Sequence, residues 1–171
     1  MTIKNLLYYE HCFSSLSVNK KDGQLAPHKP LLLLAIMDLV ECEVIKSPQI
    51  ELSEALITAF KLNNLRYTRG IIHFKPNIGM PFYHMSGEPF WKLVPKTPGT
   101  SPNTYAISTL RNHYQYAEID RELFDLMRDP ATCQSLRDVL LSTYLQNRTD
   151  IRSSLTTPIV LLASYLCSLI A

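Results

Sequence analysis

Two short segments place a histidine beside prolines and next to apolar or aromatic residues. The first covers residues 26–35 and contains His28 and Lys29, and the second covers residues 79–91 and contains His84. Because proline fixes φ and removes a backbone donor, both histidines are expected on stiff backbone. Rigid edges that are partly apolar and partly cationic suit a recognition pocket. They do not form the pattern of a catalytic triad or a metal site.

The charged residues are unevenly distributed, although the formal net charge is only +2. Between residues 61 and 96 the only acid is Glu88, and the cations are Lys61, Arg66, Arg69, Lys75, Lys92 and Lys96. A basic middle between acidic flanks indicates an anionic partner for this part of the chain. Arg66, Arg69 and Lys75 are the candidates for contact with such a partner, and with a nucleic acid such as DNA they would contact the phosphate backbone.

Nothing in the sequence has the pattern of an enzyme active site or a cofactor site. The five histidines are not spaced with cysteines or carboxylates as metal ligands are. The chain has only five glycines, no glycine-rich phosphate-binding motif and no nucleophile elbow. We therefore predict a binding protein without a metal or other cofactor, and not an enzyme.

One helix is predicted before the first histidine segment, and a second helix is predicted to begin within that segment. A first helix is expected over residues 3–13, and a second over Pro30–Cys42, where proline takes the favoured first position. The second helix is apolar on nearly every face, which predicts a central, buried position. After an extended piece at residues 49–52, Ser53 is expected to cap a helix that ends near Tyr67.

The second histidine segment is predicted to be a β-hairpin, with strands at Phe82–Met85 and Phe90–Val94. Three helices are expected after it: Ser108 caps one to about Tyr116, Asp120 caps one to Arg128, and Asp129 with Pro130 opens a strongly amphipathic one. The predicted class is helix-rich α+β. Its helix pair and hairpin wing resemble a winged helix, buttressed by the C-terminal helices, an arrangement that commonly engages duplex DNA.

The length of 171 residues predicts one domain, over residues 1–150, followed by an apolar tail over residues 151–171. The tail carries no charge from Ser153 onward and is short for a membrane span, which favours a packed or interface helix over an anchor or an artificial chain end. The four cysteines are scattered, and the first residues lack a signal-peptide pattern. We expect a cytoplasmic protein with reduced thiols.

Three motifs occur together along the chain. They are Ala-Pro-His-Lys-Pro-Leu-Leu-Leu-Leu-Ala from Ala26, Lys-Pro-Asn-Ile-Gly-Met-Pro-Phe-Tyr-His-Met from Lys75, and Phe-Trp-Lys-Leu from Phe90. Over about residues 5–148 the chain resembles the N-terminal sulfur-binding domain of bacterial HNH-type restriction endonucleases. The resemblance implies a helix-rich fold with a small sheet. It also implies recognition of double-stranded, phosphorothioate-modified DNA in type IV, modification-dependent restriction.

In that family the sulfur atom occupies a shallow apolar pocket with two walls. Matched by motif, the first wall is His28 and Lys29, and the second is Met80, Pro81 and the residues just after it, Phe82 to His84. Met80 stands where an aromatic residue is often found. His84 stands where a small residue would help to admit the sulfur. These two departures bear on sulfur selectivity more than on DNA binding.

The HNH motif itself is missing from the sequence, so we interpret the chain as the recognition part of a nuclease without the cutting part. A nuclease partner and a homodimer are both compatible with this interpretation. The alternative function is a protein-interaction or oligomerisation domain that docks a separate nuclease. A third hypothesis is an enzyme, either a cryptic nuclease or one that uses His28 or His84 as a general base.

Overall fold

The computed structural model describes residues 4–21, 23–68 and 77–145. Within these ranges it contains seven α-helices and two small antiparallel sheets, which confirms the helix-rich α+β class. The helices are α1 (Leu6–Ser14), α2 (His28–Glu41), α3 (Glu54–Tyr67), α4 (Gly79–His84), α5 (Ile107–His113), α6 (Arg121–Arg128) and α7 (Pro130–Leu140). The strands are β1 (Lys20–Lys21), β2 (Gln24–Leu25), β3 (Gln49–Ile50), β4 (Trp91–Pro95) and β5 (Tyr114–Ile119). A 3-10 turn, Met85–Gly87, follows α4, and a π-helical turn, Leu141–Leu145, follows α7.

Helix α2 is the centre of the hydrophobic core, as its uniformly apolar sequence predicts. Residues 29–37 are all buried, and α2 packs against α3, α4, α6 and α7. The helix begins at His28, two residues earlier than predicted, and Pro30 is its third residue. The first four N–H groups of a helix have no intrahelical partner, so a proline without an N–H is as acceptable at the third position as at the first.

Two of the four predicted helix caps are confirmed; Ser108 is not a cap, because α5 begins at Ile107 after Ala106. The Ser53 hydroxyl accepts a hydrogen bond from the Leu56 N–H at 3.2 Å, and the Asp129 carboxylate accepts one from the Thr132 N–H at 3.0 Å. Asp120 precedes α6 as predicted, but its side chain makes no capping bond. Its carboxylate instead accepts hydrogen bonds from the Tyr9 hydroxyl and the Lys4 ammonium, each at 2.9 Å. These bonds join α1 to the start of α6.

The predicted β-hairpin is wrong, although its second strand, predicted at Phe90–Val94, is present as β4. Residues 79–87 form α4 and the 3-10 turn, and β4 pairs with β5, about twenty residues further along the chain. Phe82 and Met85 are both buried, while His84 is exposed, which is the spacing of a helix and not of a strand. The winged-helix wing is therefore absent at this position, although the proposed helix pair, α2 and α3, does pack together.

The three-stranded sheet has the order β3-β5-β4, with β5 in the centre. Trp91 pairs with Ile119 and Leu93 with Ala117 on the core face. The predicted helix from Ser108 to Tyr116 is wrong in its second half, because α5 ends at His113 and β5 begins immediately. Alternating exposure in β5 is what a half-buried strand requires.

No helix within the described ranges is long and apolar enough to cross a membrane. The apolar tail over residues 151–171 and the domain boundary at residue 150 lie outside the described residues.

Candidate DNA-binding site

Helix α4 carries the second predicted wall, and its two faces differ. Met80, Tyr83 and His84 share one face, where Met80 is 38% exposed and His84 is exposed. Pro81 and Phe82 are buried. The Phe82 ring makes an edge-to-face contact with Trp91, with ring centroids 5.5 Å apart. The predicted wall is thus divided into an exposed layer and a supporting layer beneath it.

The start of α4 lies against the backbone that precedes α5. A Cβ atom at Gly79 would overlap the carbonyl oxygen of Tyr105, so only glycine allows this approach. The Gly79 N–H donates a hydrogen bond to the Asn77 side-chain oxygen at 3.0 Å. The first turn of α4 is therefore fixed by a segment that is far from it in sequence.

An aromatic cluster continues the exposed face of α4. Its members are Tyr83, His84, Tyr105 and Tyr114. The Tyr105 ring lies 5.1 Å from the Tyr83 ring and 4.9 Å from the His84 ring, measured between centroids. Burial raises the pKa of the Tyr114 hydroxyl, and the nearby Tyr83 raises it further, so Tyr114 is a neutral phenol at neutral pH. Sequence reasoning missed Tyr105 and Tyr114, because only the fold brings them to α4.

The first predicted wall is the first turn of α2. His28 is half-buried, and the residue that precedes the helix, Pro27, offers no side-chain cap. Lys29 is buried, and its ammonium forms an ion pair with the Glu88 carboxylate at 2.5 Å. Glu88 follows the 3-10 turn after α4, so this ion pair places the first turn of α2 beside the end of the second wall. Sequence reasoning had noted Glu88 only as the single acid of a basic region.

Of the three cations predicted to contact a DNA backbone, the structure describes only Arg66. It is exposed near the end of α3, and its guanidinium carbon lies 5.4 Å from the centre of the Tyr67 ring. Arg69 and Lys75 lie outside the described residues.

A cleft of about 280 Å³ lies between the start of α3, α5 and β5, with Phe82 in its lining. Arg111 is fixed there, because its guanidinium donates to the Leu52 carbonyl at 2.7 Å and to the Glu54 carboxylate at 2.8 Å. Lys96 and Glu51 also line the cleft. Because acids offset the cations, this cleft has no evident preference for an anionic ligand.

No three histidine, cysteine or carboxylate side chains among the described residues are grouped so that they could hold a metal ion.

Comparison with known families gives one result of direct relevance. A family profile described as "ScoMcrA-like, DNA sulfur-binding domain" matches residues 10–156. The match covers both predicted walls and all seven helices except the start of α1. A search of curated proteins found no match.

Proposed function

Because the chain belongs to the ScoMcrA-like DNA sulfur-binding domain family, we propose that it recognises phosphorothioate-modified duplex DNA and does not cut it. The observation that carries this proposal is the family match over residues 10–156, which includes both walls of the candidate site. The restriction context and the link to an HNH nuclease are part of the same proposal. In it, a separate nuclease partner supplies the cleavage.

The chemistry of the modification is consistent with the residues at the site. Sulfur in place of a non-bridging phosphate oxygen is larger, softer and less strongly hydrated, but the backbone remains anionic. A discriminating site should therefore combine apolar contact with a favourable field for an anion. Met80 offers an exposed, polarizable thioether, and the start of α2 beside His28 carries the partial positive charge of a helix N-terminus.

The site residues are proposed to form an exposed layer and a buried layer. His28, Met80 and His84 contact the modified phosphate and its sugar. Pro81 is buried between them and is proposed to be the apolar floor of the pocket, and Phe82 and Lys29 are buried beneath it and support it. Arg66, together with Arg69 and Lys75, contacts the backbone on either side, where phosphate contacts position the protein without reading sequence.

The first prediction tests sulfur recognition itself. Two duplexes that differ only in one phosphorothioate should bind with different affinity, the modified one more tightly, and both should remain intact in the presence of Mg²⁺. Pro81→Ala removes a small apolar patch worth on the order of 1 kcal/mol, so the preference should fall about tenfold or less while weak binding to plain DNA persists. Equal affinity of the wild-type protein for both duplexes would refute the proposed function.

The two histidines should respond in opposite directions when the same duplexes are compared. His28→Ala should weaken binding of the modified duplex more than the plain one, because the His28 ring is proposed to contact the modified phosphate. His84→Ala should leave the preference unchanged or increase it, because the imidazole occupies the place where a small side chain would admit sulfur. If both variants lose affinity equally on both duplexes, the pocket assignment is wrong and only a general DNA-binding surface remains.

Arg66 provides a separate test of backbone contact. Arg66→Ala should weaken both duplexes about equally and reduce the slope of log affinity against log salt by roughly one. Arg121, exposed on α6 and paired with Asp125, is the matched control and should leave the slope unchanged. An unchanged slope for Arg66→Ala would show that Arg66 is only a surface charge. The same measurement applies to Arg69 and Lys75.

Oligomeric state and the association with a nuclease are tested by a separate measurement. A homodimer or a docked nuclease would be detected by sedimentation of the protein with and without DNA. If the protein associates with a nuclease but binds neither duplex at low salt, the alternative function, a docking or oligomerisation domain, replaces DNA recognition.

A further inference from the structure

The Lys29–Glu88 ion pair is buried on both sides, and Lys29 is itself part of the first wall. Lys29 is 8% exposed and Glu88 is 7% exposed. The Glu88 carboxylate also accepts a hydrogen bond from the Ser17 N–H at 3.1 Å, and the Glu88 N–H donates to the Met85 carbonyl at 2.8 Å. Glu88 is thus fixed in position, and its carboxylate pairs with the Lys29 ammonium.

A free ammonium at this place would reduce the selectivity of the pocket. Plain and modified DNA are both polyanions, so an added cation attracts both. Oxygen accepts a hydrogen bond from an ammonium well, whereas sulfur is a weak acceptor. A cation that reached the modified phosphate would therefore favour the unmodified form.

We propose that Glu88 is a specificity-determining residue: by neutralising Lys29 it keeps the first wall uncharged, so that discrimination rests on apolar contact with sulfur. This inference rests on the proposed function. It gives a reason for a buried charge pair whose value for stability alone is small, since well-packed apolar residues often replace such pairs without loss of stability.

Lys29 is able to reach DNA once Glu88 no longer holds it. The side chain has a long flexible stem, and lysines near a surface extend their ammonium group toward water. Lys29 is the second residue of α2 and adjoins the half-buried His28. The released charge would therefore emerge beside the proposed phosphate contact.

The test measures affinity for the plain and modified duplexes at 0.1 M salt for three variants. Glu88→Gln should raise affinity for plain DNA several-fold, up to about eightfold for one added phosphate contact, and should raise it less for modified DNA. The ratio of the two affinities should fall. Lys29→Met leaves an unpaired carboxylate and should weaken both duplexes, and Lys29→Met/Glu88→Gln should restore the wild-type ratio.

The matched control is Asp38→Asn on the same helix. Asp38 pairs with Arg137, whose side chain is also largely buried, and its replacement changes the net charge by the same +1. Asp38 lies ten residues from His28, about 15 Å along the helix axis. This variant should leave both affinities unchanged. An equal rise in plain-DNA affinity here would mean a general charge effect and would overturn the inference.

The other possible results for the Glu88 variants also test the proposed role of Glu88. If Glu88→Gln lowers both affinities together, or changes neither, Glu88 is only structural. If Glu88→Gln fails to fold, Glu88→Asp decides: its shorter carboxylate holds the Lys29 ammonium less closely, so a smaller fall in the ratio supports the inference and an unchanged ratio overturns it. Loss of one phosphate contact in the double variant shows instead that Lys29 binds DNA directly. A wild-type protein without preference refutes the proposed function instead, so the two failures are distinguishable.

Discussion

Gly79→Ala is expected to abolish the preference for phosphorothioate DNA and to destabilise the protein markedly. The added Cβ overlaps the Tyr105 carbonyl oxygen, and a backbone atom cannot move aside as the end of a flexible side chain does. Relief requires the first turn of α4, which carries Met80 and Pro81, to shift away from α5. Overpacking of this kind costs about 1–3 kcal/mol, and a backbone obstacle places the cost at the upper end.

Chemical denaturation and the paired-duplex assay measure the two consequences of Gly79→Ala separately. Gly87→Ala is the matched control, because a Cβ at Gly87 has no heavy atom within 4 Å and the residue closes the same helical segment. The control should unfold like the wild-type protein and keep its preference. If Gly79→Ala also behaves like the wild type, the start of α4 does not shape the pocket.

The sequence predicted correctly those helices whose bounds or burial depend on residues close together along the chain. The start of α3 depends on one hydroxyl three residues before the N–H that it caps, and α7 depends on Asp129 followed by Pro130. The burial of α2 follows from apolar residues on every side, which no solvent-facing helix carries. For such elements the residues that decide the structure are neighbours along the chain.

The prediction failed where a local pattern was compatible with two structures. Phe82 and Tyr83 are residue types that are common in strands, whereas the three-residue spacing of Phe82 and Met85 fits one helical turn, and the prolines on either side are compatible with both structures. Within the described residues β4 pairs with β5, about twenty residues further along the chain, whereas residues 82–85 lie in α4 and the start of the turn that follows it. Strand pairing at that separation is not visible in a local pattern.

The same difference between neighbouring and distant residues applies to the candidate site. His28, Lys29, Met80 and Pro81 were predicted from motifs that resemble a family, and each motif lies within one segment. Glu88 and Tyr105 were missed, because Lys29 and Glu88 are 59 residues apart and Tyr105 reaches Gly79 only through the fold. The one local signal for Glu88 was its isolation among cations. A lone acid in a basic region is a reasonable candidate for a buried ion pair.

Phe82→Ala and Met80→Ala should separate the two layers of the second wall. Phe82 is fully buried and packs edge-to-face on Trp91, so its truncation should lower the free energy of unfolding by about 3–5 kcal/mol. While the variant remains folded, binding should weaken by a similar factor on both duplexes. Denaturant titration gives the first quantity and the paired-duplex assay the second.

Met80→Ala should have the opposite effects: a small loss of stability and a selective loss of the preference for modified DNA. Met80 is partly exposed, so the loss should cost less than about 1 kcal/mol of stability, but removing its contact with sulfur should reduce the preference several-fold. Leu65→Ala is the control, because Leu65 is a large apolar residue exposed on α3, outside the proposed pocket. It should change neither quantity. If Met80→Ala leaves the preference intact while Phe82→Ala selectively removes it, the sulfur contact lies in the buried layer, and the exposed face of α4 serves only general DNA binding.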